Sequence, residues 1–177
     1  MAQRPDALHT LGFAVWSDDI ALVRELLDAG TPVDDYGIND TAGKTPLMES
    51  VDEIEPFYDS TRVLLTRLLL SAGADVDRPD NSGRTALHYA VGAGRAAVEL
   101  LLAAGADPNA AREGGLAPLH EAILRGNASA IEALCRAGAN RGLREKTGLT
   151  PSDLLTENHE GFTPVELNAV TLLLTSE

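Results

Sequence analysis

Few residues in this chain have side chains able to do chemistry. There are four imidazoles, His9, His88, His120 and His159, and one thiol, Cys135. A zinc site needs three or four such ligands converging at short spacing, and a cysteine nucleophile needs a positioned base. His88 and His120 stand 32 residues apart, with no cysteine, aspartate or second histidine at ligand spacing. No motif sets a histidine or asparagine beside Cys135, which reads as a small buried apolar side chain. The acid pairs Asp34-Asp35 and Asp52-Glu53 lack the alternating ladder with glycine that a calcium loop requires. The glycines of Gly92-Ala93-Gly94 and Gly114-Gly115 are turn residues and precede no Gly-Lys-Ser/Thr phosphate loop. The expectation is a protein that is not an enzyme and holds no metal and no cofactor.

What recurs is the setting of those histidines. From Asn81 to Asn109 the chain reads as a helix opened by Thr85-Ala86-Leu87-His88, a break at Gly94, a second helix from Ala97 to Ala104, and a stop at Gly105. Each helix is shorter than the roughly 12–15 residues at which isolated helices become marginal in water, so both must bury a face against neighbours. The neighbours are further copies. Leu116-Ala117-Pro118-Leu119-His120 repeats the opening with Gly126 and Gly138 as break and stop, and Lys44-Thr45-Pro46-Leu47-Met48 opens a longer copy that ends at Gly73. A degenerate copy runs from Leu11 to Gly30, and Thr150-Pro151-Ser152-Asp153 opens a last one. The anchor leucines 11, 47, 87 and 119 are spaced by 36, 40 and 32 residues.

A period near 33 with T-P-L-H at the helix start resembles the ankyrin-repeat family, over nearly the whole chain. That resemblance implies an all-α solenoid of about five helix-turn-helix repeats with hairpin-like finger loops. The repeats would cover about 5–39, 40–79, 80–111, 112–144 and 145–177, the last as a C-terminal cap, in one domain over 1–177. The first helix is expected over 7–15 and the terminal helix from the Thr163 capping box to about Leu174. Val165, Ala169, Val170, Leu172 and Leu173 would cover the end of the stack. From Leu47 to Gly73 the second repeat is longer than its neighbours, which puts an insertion of seven or eight residues at about 52–59, with Phe57 and Tyr58 expected to pin it against the following helix.

The resemblance also implies what the surface is for. Partners of such proteins usually meet the finger tips and the exposed side of the first helix of each repeat, and the histidine at 88 and 120 makes structural hydrogen bonds between turns. Carried over residue by residue, the exposed helix slots are Trp16, Asp52, Glu53 and Arg125, and the finger slots Tyr36, Lys44, Arg84, Glu113 and Leu116. Trp16, the single tryptophan, either anchors a partner together with Tyr36 or folds over the N-terminal layer as part of its cap.

Charge narrows the partner. The net charge is −13, and residues 1–60 hold thirteen acids against three bases. That field repels phosphate backbones and anionic lipid, so no nucleic acid and no membrane are expected and a basic protein partner is favoured. The roles that fit are an adaptor or inhibitor, with an immunity-type inhibitor of a basic toxin or a regulatory subunit of an enzyme as alternatives. A monomer in a reduced, cytoplasmic compartment is expected from one cysteine, no signal-peptide core at the N-terminus and no apolar run long enough to span a membrane.

Overall fold

The computed structural model describes residues 10–35, 42–52 and 60–175. Among them the chain forms ten α-helices and no strand: α1 (Leu11–Trp16), α2 (Ile20–Asp28), α3 (Pro46–Val51), α4 (Ser60–Ser71), α5 (Ala86–Ala93), α6 (Arg95–Ala103), α7 (Pro118–Leu124), α8 (Ala128–Arg136), α9 (Pro151–Glu157) and α10 (Pro164–Thr175). Each odd-numbered helix packs on the helix that follows it and on the next odd-numbered one, and α2 meets α4 as α6 meets α8 and α8 meets α10. The result is an all-helical solenoid of paired layers. None of these helices is long and apolar enough to cross a membrane.

Capping residues set the short lengths. The Thr10 hydroxyl accepts from the Phe13 amide at 3.2 Å, Asp19 from Leu22 at 3.0 Å and Asn127 from Ala130 at 3.1 Å, each satisfying an orphan donor of a first turn. The Thr10 cap starts α1 at Leu11, later than the expected 7, and residues 7–9 lie outside the described part of the chain. At the other end Thr163 and Glu166 form the expected capping box, Thr163 N–H donating to Glu166 Oε2 at 2.9 Å and Glu166 N–H to Thr163 Oγ1 at 3.3 Å.

Small size lets the layers sit close. The anchor leucines 11, 47, 87 and 119 are buried, as are the pairs Ala14-Val15, Ala90-Val91 and Ala122-Ile123 that follow them along the odd helices. Each fully buried leucine removes enough apolar surface from water to contribute about 2 kcal/mol. Cys135 is buried on α8, where desolvation raises its thiol pKa and leaves the unreactive thiol form. Asp18 stands where later repeats place Gly94 and Gly126, and at φ 57° it is the one non-glycine with positive φ among the described residues. Aspartate tolerates this left-handed turn better than most residues, and here its carboxylate meets Arg62 Nε at 3.0 Å. The same guanidinium donates to the Glu49 carbonyl at 2.8 Å and the Trp16 carbonyl at 3.4 Å, so one side chain from α4 ties down the ends of α1 and α3.

One expectation changes. The five residues of α10 expected to cover the stack do not all do so: Val170 is buried and Leu173 half-buried, with Leu174 buried beside them, whereas Val165, Ala169 and Leu172 are exposed. Successive helical positions turn by about 100°, so one face cannot hold both sets. The insertion between α3 and α4 begins at Asp52, whose ψ of 144° leaves the helix. Residues 53–59, with Phe57 and Tyr58, lie outside the described part.

Candidate partner-binding surface

The surface is built from the fingers between layers. Residues 80–84, 112–116 and 145–149 close the same turn. Asp80 N–H donates to Arg84 O at 2.8 Å, Arg112 N–H to Leu116 O at 3.1 Å and Glu145 N–H to Leu149 O at 3.0 Å. Successive fingers then join through Asn81 N–H to Ala42 O at 2.9 Å, Glu113 N–H to Ser82 O at 2.9 Å and Lys146 N–H to Gly114 O at 2.7 Å. A glycine permits each close approach: a Cβ at Gly83 would stand 3.1 Å from the Arg112 Cα, and one at Gly115 would stand 3.2 Å from that of Glu145.

Imidazoles hold the fingers to the helices. His88 Nδ1 accepts from the Thr85 amide at 3.1 Å and Nε2 donates to the Leu116 carbonyl at 3.1 Å. His120 repeats this with the Ala117 amide at 3.2 Å and the Leu143 carbonyl at 3.2 Å. A nitrogen that accepts and one that donates define a neutral ring, and burial holds both pKa values below the ordinary 6.5. This is the structural role that the repeated histidine implies. In the second repeat Met48 Sδ only accepts, from Thr45 N–H at 3.4 Å, and in the fifth Asp153 accepts from Thr150 N–H at 2.9 Å.

Along the groove floor the charges compensate one another. Lys44 is hydrogen-bonded to Asp52, lies 3.8 Å from Glu49 and sits over the Tyr89 ring at 4.9 Å. Arg84 lies over the same ring at 5.7 Å. Tyr89 donates to Asp80 Oδ2 at 2.7 Å while Asp80 Oδ1 accepts from the amides of Ser82 and Arg84, both at 2.8 Å. Burial works against the Asp80 carboxylate, but the bonds from Tyr89, Arg84 and Ser82 outweigh it and hold its pKa low, and burial beside that carboxylate pushes the Tyr89 phenol up. One repeat on, Glu121 takes Arg112 at 3.1 Å and Arg125 at 3.2 Å. Burial opposes its charge too, and the two guanidiniums more than restore it.

The residues picked from the sequence therefore fall into distinct settings. Trp16 is 52% exposed, its ring tilted against Phe13 with centroids 5.7 Å apart. It occupies the helix slot that Leu124, 44% exposed, occupies in the fourth repeat. Glu113 is exposed at a finger tip and Arg125 at the end of its helix. Lys44, Asp52 and Arg84 are half-buried in the contacts just described, and Leu116 is half-buried with its side chain packed on the core. Tyr36 and Glu53 lie outside the described residues. Tyr89, Arg112 and Glu121 were not singled out from the sequence, although Tyr89 and Glu121 each follow the slot histidine directly. Among the described residues no group of three His, Cys, Asp or Glu could hold a metal ion.

Comparison with known proteins agrees with this architecture. A family model described as ankyrin repeats (3 copies) matches residues 11–112, and one described as ankyrin repeats (many copies) matches residues 96–134. No curated protein sequence matches the chain.

Proposed function

The chain belongs to the ankyrin-repeat family, and from that premise we propose that it is a non-catalytic module that binds a basic protein through the finger and odd-helix surface, as an adaptor or inhibitor. The observation that carries the reading is Trp16, a large aromatic side chain held half out of the surface. Its ring rests on Phe13 and its carbonyl accepts from Arg62. Aromatic anchors of this kind dominate binding energies at protein interfaces. The groove cations Lys44, Arg84, Arg112 and Arg125 are occupied by carboxylates or by the Tyr89 ring. The excess acid of residues 1–60 is therefore the field a partner meets. Trp16, Asp52 and Glu113, with Tyr36 and Glu53, are the contact residues proposed.

Affinity capture with the wild-type chain and a Trp16→Ala variant tests this, at about 0.05 and 0.5 M salt where screening differs severalfold. The expected result is a basic protein retained at low salt, released at high salt, and held roughly thirtyfold more weakly by the variant, the equivalent of about 2 kcal/mol. A retained partner indifferent to both changes would remove the anchor and the electrostatic steering together.

A further inference from the structure

Among the described residues α10 is the last helix, and it is apolar on more than the side that touches its neighbours. Val170 and Leu174 are buried, with Leu167 packed beside them. Val165 is 80% exposed and Leu172 62% exposed, and with the exposed Ala169 they form a stripe at helical spacing on the outer side. One packed side accounts for one apolar stripe on a helix, and α10 carries a second that nothing among the described residues covers. Beside the stripe, α10 and α8 flank an open groove of about 720 Å³ lined by Ala128, Ser129, Glu132, Ala169, Leu172 and Leu173.

We propose that this face is a contact between two copies of the chain, with the two α10 helices antiparallel across a two-fold axis. Shape is the first reason for choosing a second copy as the occupant. One surface carries both a ridge, Val165 and Leu172, and a floor of small residues, Ala128, Ser129 and Ala169. A two-fold contact needs that self-complementarity, and small residues let helices approach to about 8–10 Å.

Charge is the second reason. Glu166 lies beside Ala128 and Ser129, so α8 and α10 start together and run the same way. Arg136, at the end of α8, bonds Glu132 at 2.6 Å yet remains 62% exposed. Antiparallel pairing brings Glu166 of each copy toward Arg136 of the other, whereas parallel pairing sets like charges together. Extent fixes the strength. A helix of 12 residues is about 18 Å long and about 10 Å wide, a footprint of roughly 200 Å² that falls well short of the roughly 800 Å² per partner of a standard interface. The dimer is therefore weak, with a Kd on the order of 10–100 μM, and the monomer expected from the sequence is its dilute form.

Ala169 lies at the middle of α10, so the two-fold sets it against its own copy. Under mild oxidation, Ala169→Cys should form a covalent dimer at least tenfold faster than Thr171→Cys, whose position is exposed on a different side of the helix. In sedimentation equilibrium the wild-type mass should rise from 18.7 kDa toward twice that value. Leu172→Glu, an exposed substitution that leaves the thermal midpoint unchanged, should stay monomeric throughout. Three results would each overturn the proposal: a wild-type chain monomeric up to about 0.5 mM, equal crosslinking of the two cysteine variants, or growth past the dimer. The first of these would give the face to a different partner.

Discussion

Replacing His120 with alanine is expected to cost about 2–4 kcal/mol, from a vacated core position and the stranding of the Ala117 amide and the Leu143 carbonyl. In a stack where each layer touches only its neighbours, the loss should be local. Amide exchange in α9 and α10 should accelerate before exchange in α3 changes. The same imidazoles predict a pH dependence, whose sign follows from the depressed pKa values of His88 and His120, caused first by burial. The unfolded chain binds protons near the ordinary 6.5 while the folded chain does not. Stability is therefore level above that pH, falls as the pH drops below it, and stops falling once the folded rings also protonate. Urea titrations at pH 7.5, 6.5 and 5.5 should show this decline in the wild type and a smaller one in a His88→Gln, His120→Gln variant. Equal slopes in the two chains would mean that other groups carry the acid sensitivity.

The contacts behind that prediction were partly legible in the sequence. Leucines recurring near every 33 residues must face one core, so the fold followed from spacing, and the bridges made by the slot histidine at 88 and 120 followed from the family resemblance. The rest depended on distances between repeats, which spacing leaves open. Lys44 could have faced solvent, and it is held by Asp52 and Tyr89 because α3 and α5 stand side by side. α1 was expected from residue 7, and the Thr10 cap starts it at Leu11. The outer stripe of α10 was read as core because its residues are apolar, and only the direction of Val170 and Leu174 shows which side faces inward.

A substitution between repeats gives the second large effect. Asp80 and Tyr89 pair across nine residues, and one repeat later Arg112 and Glu121 pair across the same nine. The position is conserved in geometry within the chain while its chemistry is inverted. The inversion has a consequence: the Nε of Arg112 is buried without a hydrogen-bond acceptor, so the guanidinium depends on Glu121. Glu121→Ala should cost about 3 kcal/mol, because it leaves a largely buried cation uncompensated. Arg112→Asp alone should also destabilise, since it sets two carboxylates together. Arg112→Asp combined with Glu121→Tyr should recover to within about 1 kcal/mol of the wild type. It rebuilds the third-repeat pair, with the Gly114 and Leu116 amides placed to serve the new carboxylate as those of Ser82 and Arg84 serve Asp80. A urea double-mutant cycle reads the coupling directly. Strictly additive losses would show that the two positions act independently and that the third-repeat solution cannot be transplanted to the fourth.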